Sequence, residues 1–358
     1  MSVLYSETSL GHLPLRNHLV MCPLTRNRAI DNVPNDLMAE YYAQRASVGL
    51  IITEGTSPSP NGLGYPRIPG IFSQEQVRGW KRVVDAVHAK GAKIFIQFMH
   101  CGRIVHQLNL PKEARALAPS AIAAAGEMYT DAQGLKPFPT PQAMTEADIK
   151  TAIEEFVQGA KNAMQAGFDG VELHSANGYL LEQFIRPTSN RRTDGYGGPI
   201  EKRSRFVLET AEAVIRAIGK EKVGIRLSPF GVFNDMPDYP EQEADYEYLA
   251  QQLNQQQVLY LHVVDHSSMG APAVPTNIKQ KFRELFKGGL ILSGGYDAAH
   301  AEKDLADGRC DLIAVGRPIL ANPDVLARWQ VGAALNAPDM NTFYTPGPQG
   351  YTDYPYLG

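Results

Sequence analysis

The sequence of 358 residues predicts a (β/α)8 TIM barrel, in which eight parallel strands close into a cylinder with helices around it. Short runs rich in Val, Ile and Leu recur eight times, as expected of strands that are buried on both faces. Amphipathic segments of helical period lie between these runs, which is the alternation typical of α/β folds. The alternative is an open doubly wound sheet. It is disfavoured because HLVMCPLTR, and not G-x-G-x-x-G, stands at the first strand.

The predicted strands and helices follow from these patterns. The strands cover residues 18–22, 49–53, 93–98, 170–173, 223–227, 259–264, 290–293 and 311–315. Helical periodicity is clearest over residues 74–90, 146–166 and 200–217. Thr145 stands before Glu146 and Asp148 and is typical of a helix N-cap. Glycine separates a helix from a strand in AKGAKIFI, AGFDGVEL and ADGRCDLIAV, as expected of the position just after a helix.

Two segments do not fit the alternation. The connection between the third and fourth strands is the longest, and its Pro- and Ala-rich part, residues 104–142, predicts an excursion over the barrel mouth that contains a hairpin. The tail, residues 341–358, is rich in Tyr, Pro and Gly. It predicts an irregular but ordered strap, since so many aromatic side chains would be poorly placed in solvent. Both segments are assigned to one domain that spans residues 1–358.

Composition excludes several classes of function. The net charge of −4 and the lack of a basic patch argue against nucleic-acid binding. Cys22, Cys101 and Cys310 form no C-x-x-C pair, which argues against a disulfide scaffold or a structural zinc site. The first residues do not resemble a signal peptide, and no apolar run reaches about 18 residues. We therefore expect a cytoplasmic protein, monomeric or homodimeric, that spans no membrane and carries no metal.

Polar residues gather at the carboxyl ends of the predicted strands, where barrels of this class carry their active sites. They are Pro23, Leu24, Thr25 and Arg26 after the first strand, Gln97, Met99 and His100 at the third, His174, Asn177 and Tyr179 at the fourth, Arg226 in the fifth, Gly294 and Gly295 after the seventh, and Gly316 and Arg317 after the eighth.

The last two groups predict a phosphate site, because glycines let a phosphate approach backbone N–H groups and Arg317 adds a cation. Arg226 lies in an apolar strand without an adjacent acid, so it is expected to face an anion. Each residue also has a plainer explanation. The glycines suit a tight turn, Arg226 a structural ion pair and His174 a satisfied core histidine. Gln97, Thr25 and Tyr179 are also compatible with purely structural roles.

Taken together, the motifs strongly resemble the Old Yellow Enzyme family of flavin-dependent ene-reductases. They are PLTRNR (23–28), QFMHCGR (97–103), GVELHSANGYLLEQFIRPTSNRRTDGYGG (170–198), GIRLSP (224–229), SGGY (293–296), AVGRP (314–318) and GYTDYP (350–355). The resemblance covers nearly the whole chain. The tail is most similar to the bacterial branch of N-ethylmaleimide and nitrate-ester reductases.

The resemblance implies a single FMN-binding barrel domain with non-covalent FMN and with NADPH or NADH as hydride donor. The residues implied in cofactor binding are Pro23, Leu24, Thr25, Gly55, Gln97, His174, Asn177, Arg226, Gly294, Gly295, Gly316 and Arg317. In the family pattern the glycines and Arg317 would bind the phosphate, and Arg226 would lie near the N1–C2 edge of the ring. Gln97 would hydrogen-bond the pyrimidine edge of the ring, and Thr25 would donate to its O4. In this division of labour the cofactor carries the hydride chemistry and the protein tunes it.

The implied reaction is reduction of the C=C bond of activated alkenes, such as α,β-unsaturated carbonyl compounds, with ping-pong kinetics. Hydride passes from flavin N5 to the β-carbon while His174 and Asn177 donate hydrogen bonds to the substrate oxygen, where negative charge develops. Tyr179 then protonates the α-carbon as general acid.

The chain departs from the family pattern in two places that concern the substrate. Asn177 stands where other members carry His, and an amide does not titrate. Met99 stands where bulky aromatic residues are common, which predicts a roomier or more adaptable substrate pocket, lined also by Tyr65 and Tyr344. Cys22 and Cys101 are interpreted as structural residues.

Four alternative functions explain fewer of these residues. A phosphate-binding barrel without flavin explains the glycines but not Gln97, Arg226 and Tyr179 together. A metal hydrolase is disfavoured because this sequence does not group its acids with histidines: Glu172 and Asp265 have no histidines at suitable spacings. The related iron–sulfur dienoyl-CoA reductases need a Cys cluster and additional domains. A flavin-storage protein would not need a proton donor.

Overall fold

A computed structural model describes residues 2–358 and contains the predicted closed barrel. The barrel strands are β1 (Leu19–Met21), β2 (Leu50–Thr56), β3 (Lys93–Phe98), β4 (Gly170–Ser175), β5 (Val223–Leu227), β6 (Tyr260–Val263), β7 (Gly289–Ser293) and β8 (Leu312–Val315). Each strand pairs in parallel with its neighbours, and β8 pairs with β1 to close the cylinder. The predicted fold class and all eight strands are confirmed.

The ends of two strands differ from the prediction in a way that matters for the site. Strand β4 continues to Ser175, so His174 lies inside the sheet and pairs with Arg226 of β5, instead of following the strand. Strand β2 continues to Thr56 and includes Gly55, with a register shift between Ile52 and Gly55. Because both extensions pair with neighbouring strands, the sheet fixes these residues more firmly than a loop would.

The helices surround the barrel between its strands. They are Asp36–Gln44, Gln74–His88, Glu146–Ala166, Leu180–Ile185, Ile200–Arg203, Arg205–Ile218, Gln242–Gln255, Thr276–Leu285, Ala298–Ala306, Arg317–Ala321 and Val325–Val331. Short 3-10 turns lie at Ile30–Asn32, Pro60–Gly62, Gln107–Asn109, Lys220–Lys222, Ser267–Met269 and Met340–Thr342.

Local sequence accounts for the helix boundaries. Thr145 caps Glu146–Ala166 through a capping box with Asp148, and Gly167 ends that helix with a φ of +96°. The helix predicted over residues 200–217 is interrupted at Ser204, although the backbone of that residue stays right-handed helical.

Two layers of apolar side chains fill the fold. The larger layer lies between the sheet and the helices and includes Trp80, Phe98 and Phe156. A smaller cluster fills the inside of the barrel, and the hairpin formed by Thr8–Leu10 and Leu13–Leu15 contributes to it. The lower end of the barrel is therefore packed, which leaves the carboxyl ends of the strands for a cavity.

The long connection between β3 and β4 contains the predicted hairpin. Its strands, Glu127–Thr130 and Gly134–Pro137, pair antiparallel, and Met128, Tyr129 and Leu135 from it line the cavity described below. The short strands Leu117–Ala118 and Gln142–Ala143 pair in parallel on either side of the hairpin. The excursion over the barrel mouth is confirmed.

The predicted strap, residues 341–358, is held by three buried arginines: Arg26, Arg28 and Arg45. Each guanidinium donates hydrogen bonds to backbone carbonyl groups of the strap. The accepting residues are Thr342, Phe343, Gly347, Gln349, Gly350 and Tyr351. Because carbonyl oxygens of irregular backbone need donors when they are buried, these arginines replace the hydrogen bonds of a regular element.

Tyr351 anchors the strap by packing. Its ring is fully buried and stacks on Tyr41, with a centroid distance of 4.0 Å and an interplanar angle of 10°. The guanidinium carbon of Arg28 lies 4.7 Å from the centroid of the same ring. Among residues 2–358, the buried Tyr351 hydroxyl has no hydrogen-bond partner.

No helix in residues 2–358 has the length and hydrophobicity required to cross a lipid bilayer.

We expect Tyr351→Phe to change the free energy of unfolding by less than about 1 kcal/mol, because it removes a hydroxyl that is not hydrogen-bonded. Tyr351→Ala should lower it by about 3–5 kcal/mol through loss of the ring contacts. Urea denaturation of the two variants and the parent protein measures both values. A loss of more than about 1.5 kcal/mol in Tyr351→Phe would show that the hydroxyl, and not the ring, anchors the strap.

Candidate active site

A cavity of about 1190 Å³ opens at the carboxyl ends of the barrel strands. Every residue predicted for the site lies on its wall. These residues are Pro23, Leu24, Thr25, Gly55, Tyr65, Gln97, Met99, His174, Asn177, Tyr179, Arg226, Gly294, Gly295, Gly316, Arg317 and Tyr344. Residues of the hairpin Glu127–Pro137 and of the strap complete the wall.

A buried carboxylate that the sequence analysis did not assign to the site lies behind the cavity wall, in contact with Gln97. Glu172 Oε1 accepts a hydrogen bond of 2.8 Å from Gln97 Nε2, and Glu172 Oε2 lies 2.9 Å from His262 Nδ1. Burial opposes ionisation of Glu172, but His262 and then Arg226 keep the pKa of its carboxyl below the ordinary value. Burial lowers the pKa of His262. We therefore assign the negative charge to Glu172, with His262 as its hydrogen-bond partner.

Arg226 lies on strand β5 next to this carboxylate. Its own strand has no adjacent acid, but the neighbouring strand β4 supplies Glu172, whose pKa Arg226 helps to lower. Arg226 Nη2 donates to the sulfur of Cys22 at 3.0 Å, while its buried Nε has no partner in residues 2–358. The positive charge is thus only partly balanced by the protein.

The interpretation of Cys22 as a core residue is incomplete. Its side chain does pack inside the barrel, but it also lines the cavity and accepts the hydrogen bond from Arg226. Burial raises the pKa of the Cys22 thiol, although Arg226 opposes this. Cys101 is fully buried among apolar residues, as expected of a structural cysteine.

His174, Asn177 and Tyr179 come together where strand β4 ends. The rings of His174 and Tyr179 meet edge to face, with centroids 4.8 Å apart. The Tyr179 hydroxyl lies 3.1 Å from that of Tyr65. Asn177 adopts a left-handed backbone conformation with a φ of +58°, which asparagine tolerates better than most residues.

A buried carboxylate below the turn holds it in place. Glu182 Oε2 accepts from the N–H of Gly178 at 2.7 Å, and Ser228 Oγ donates to Glu182 Oε1 at 2.9 Å. The same Ser228 Oγ accepts from the N–H of Asn177 at 2.9 Å. Arg186 forms a fully buried ion pair of 3.1 Å with Glu182. This network explains the acid in the LLEQF segment, which the sequence analysis left without a role.

Burial fixes the protonation of two residues on this wall. Burial and then the charge of Arg226 hold the pKa of His174 well below its ordinary value, so the imidazole is neutral. Burial and then the neighbouring Tyr65 raise the pKa of Tyr179 well above its ordinary value, so the phenol keeps its proton. The site therefore presents a neutral histidine and an uncharged phenol, both of which can donate hydrogen bonds.

The glycines after β7 and β8 leave backbone accessible at the other end of the cavity. Gly294 and Gly295 have φ values of +142° and +72°, a region that favours glycine. A Cβ on Gly294 would lie 2.7 Å from Cβ of Asp265, and one on Gly295 would lie 2.6 Å from Cβ of Ser268. The segment thus has no room for side chains.

Met99 packs directly against Gly55 at the wall of the cavity, in space that a side chain at position 55 would occupy. Met99 is buried, and its sulfur lies where it would be 2.5 Å from a Cβ on Gly55. Tyr65 is half-buried beside Tyr179, whereas Tyr344 is 58% exposed and stands at the rim. The prediction of a roomier pocket at Met99 stays a prediction.

The residues present fit an FMN group. The glycine segments beside Arg317 suit a phosphate, and the unpaired buried atoms Arg226 Nε and His174 Nδ1 lie in residues that line the cavity. Within residues 2–358, no cluster of three or more His, Cys, Asp or Glu side chains is arranged to hold a metal ion.

Comparison with known proteins identifies the family. The sequence profile of the NADH:flavin oxidoreductase / NADH oxidase family matches residues 4–336. The chain belongs to this family. The resemblance to Old Yellow Enzymes is thereby confirmed, and the protein is an FMN-dependent oxidoreductase that takes hydride from a nicotinamide donor.

Individual relatives cover nearly the whole of this flavin oxidoreductase. A probable flavin mononucleotide-dependent alkene reductase of Leishmania infantum is 41% identical over 99% of this chain and 98% of its own. The 12-oxophytodienoate reductase 1 of Oryza sativa subsp. japonica is 42% identical over 99% and 93%. The solved structure of morphinone reductase has a TM-score of 0.95 and 45% identity, with 99% of this chain and 96% of that chain covered. Another, in complex with tetrahydroNAD, has a TM-score of 0.94 and 45% identity over 99% and 98%.

Three residues at or next to the site of this flavin oxidoreductase were not predicted from the sequence. Glu172 was considered only as a metal ligand, although an acid inside the apolar run GVEL signals a buried partner. Glu182 lies in a helix with no such signal. His266 follows strand β6 and lines the cavity, so the rule that assigns sites to strand ends applies to it too.

We expect the His174 imidazole to stay neutral between about pH 5.5 and 9, because a lowered pKa favours the neutral form throughout this range. NMR of protein with isotopically labelled histidine measures this, and the His174→Ala variant assigns its signals. A change in the His174 signals with a midpoint near about pH 6.5 would contradict the assignment.

Proposed function

We propose that this flavin oxidoreductase reduces the C=C bond of activated alkenes, such as α,β-unsaturated carbonyl compounds. The observation that carries the proposal is that His174, Asn177 and Tyr179 share one wall of a single cavity with the predicted cofactor residues. The names of its relatives, which include alkene, 12-oxophytodienoate and morphinone reductases, support the same reaction. We further propose that residues 1–358 act as one FMN-binding domain, since barrel, hairpin and strap line the same cavity.

FMN, when bound, supplies the hydride chemistry, with NADPH or NADH as the source of the hydride. The residues that would hold its phosphate are Gly294, Gly295, Gly316 and Arg317. The residues that would hold its ring are Pro23, Leu24, Thr25, Gly55, Gln97 and Arg226. Arg226 favours negative charge near the ring because the protein balances its own charge only partly. Glu172 orients the Gln97 amide by accepting from Nε2.

His174 and Asn177 stabilise the charge that develops on the substrate oxygen. A neutral imidazole N–H and an amide N–H both donate hydrogen bonds, and neither needs to change its protonation during the reaction. Because the donors are already in place in a buried site, they stabilise the charged transition state more than the neutral substrate. Their contribution is therefore to the rate and not only to binding.

Tyr179 supplies the proton. Its hydroxyl keeps a proton because burial raises its pKa, and the reaction transfers that proton to the α-carbon while the β-carbon receives the hydride. Tyr65, whose hydroxyl lies 3.1 Å away, then donates a hydrogen bond to the Tyr179 oxygen that has lost its proton. Solvent restores the proton for the next cycle.

Replacing Tyr179 with Phe tests the proposed function. We expect the rate of alkene reduction to fall by about 10²–10⁴, which is the usual contribution of a general acid, while flavin reduction by NADPH changes by less than about threefold. Stopped-flow absorbance separates the two half-reactions. Tyr65→Phe is the matched control and should lower the rate of alkene reduction far less. Equal loss in both half-reactions of Tyr179→Phe would contradict the acid role.

Replacing Arg317 with Met tests the phosphate site. FMN affinity should fall about tenfold or more, which is about 1.4 kcal/mol, while the affinity for riboflavin, which lacks the phosphate, should be unchanged. Fluorescence titration of apoprotein with each flavin measures both. Arg205→Met is the control, since Arg205 pairs with Glu209 on an outer helix. An equal loss for FMN and riboflavin would place the phosphate elsewhere.

A further inference from the structure

We propose that His266 is a positioning residue that fixes the orientation of the Asn177 side-chain amide, so that the amide NH2 group is the one offered to the substrate oxygen. This inference rests on the proposed function, in which Asn177 donates a hydrogen bond to that oxygen. It adds a residue from the loop after strand β6 to a wall otherwise built from strand β4 and the turn that follows it.

The protein uses three of the four polar groups of Asn177. Its backbone N–H donates to Ser228 Oγ at 2.9 Å, and its backbone carbonyl accepts from Asn234 Nδ2 at 2.7 Å. Its side-chain Oδ1 lies 2.9 Å from His266 Nε2. Within residues 2–358, Nδ2 is the polar atom of Asn177 with no protein partner, and Asn177 lines the cavity.

The chemistry of the two groups determines which one donates. An amide oxygen only accepts, so the facing Nε2 of His266 must carry the hydrogen. The amide has almost the same shape when it is turned by 180°, and only its hydrogen bonds distinguish the two orientations. In the reversed orientation Asn177 would present a carbonyl oxygen to an oxygen that becomes negative, which would repel the developing charge.

The surroundings keep the His266 ring neutral. Burial, with Arg226 and Arg317 adding to it and Asp265 opposing it, lowers the pKa of His266 to about 4, so the ring is neutral in the working range. The ring lies beside Phe233, with centroids 6.0 Å apart.

Asp265 does not compete for the His266 ring. Its carboxylate accepts from the backbone N–H of Ser267 at 2.9 Å and from Lys279 Nζ at 2.7 Å. The loop that carries His266 is thus held independently of Asn177, which lets the ring serve as a fixed reference for the amide.

A double-mutant cycle on the FMN-loaded protein tests the proposal. The probe is 4-chlorophenol, whose phenolate presents an oxyanion, and its dissociation constant is measured from the visible absorbance of the holoprotein. His266→Phe removes the donor and keeps a ring, whereas His266→Gln keeps an N–H close to the position of Nε2. The same substitutions are made in the Asn177→Ala background.

We expect His266→Phe to weaken 4-chlorophenol binding about tenfold, the size of one hydrogen bond, and His266→Gln to restore it to within about threefold. In the Asn177→Ala background, His266→Phe should have no further effect, because a residue that acts only through Asn177 has nothing left to orient. The value of kcat for alkene reduction should follow the same pattern.

Three outcomes would overturn the inference. If the effects of His266→Phe and Asn177→Ala simply multiply, His266 acts on the site without Asn177. If Asn177→Ala weakens binding but His266→Phe does not, the positioning role fails while the proposed function stands. If Asn177→Ala itself changes neither phenol affinity nor alkene reduction, the role of Asn177 fails, and the positioning role fails with it.

Discussion

Closure of eight parallel strands into a cylinder is the constraint on which the rest of this structure depends. Because every strand runs in the same direction, every carboxyl end reaches the same rim, and residues more than 200 positions apart in the chain meet there. Arg226 contacts Cys22 only because β5 and β1 both open into the one interior. The amino-terminal hairpin and the apolar side chains inside the barrel fill its lower half, so the cavity lies at the other end. The excursion and the strap contribute the remaining wall of that cavity.

Burial also determines the charges of the residues in and around the site. Arg226 lines the cavity and has the buried Glu172 and His262 near it, and the partial neutralisation of Arg226 leaves positive charge on the cavity wall. The same burial holds His174 neutral and Tyr179 protonated, so a single physical effect sets the protonation of both residues proposed to act on the substrate. Burial therefore has two effects in this flavin oxidoreductase. It strengthens the electrostatic effect of Arg226 at the cofactor site, and it keeps His174 and Tyr179 in uncharged forms that can donate hydrogen bonds.

Much of this arrangement was predictable from the sequence, and the parts that were not have a common physical cause. Strands buried on both faces are continuous apolar runs, so all eight were found, and the rule for strand ends then located His174, Asn177, Tyr179 and Arg226. The contacts that were missed join segments whose mutual register no local pattern encodes. His266 meets Asn177 across 89 positions, and Glu172 meets His262 across 90. The contacts between the arginines and the strap could not be predicted either. Every residue has a backbone carbonyl group, so the sequence of the strap does not show which carbonyl groups will accept from an arginine.

The most direct test of the account is the visible absorption spectrum of the purified protein under anaerobic conditions, recorded before and after NADPH and again after 2-cyclohexenone. The account predicts an oxidised flavin band that bleaches with NADPH and returns with the enone. A band that bleaches but does not return with any activated alkene would contradict the proposed reduction of the C=C bond. A protein that stays colourless after FMN is added would contradict the assignment of the cavity as a flavin site.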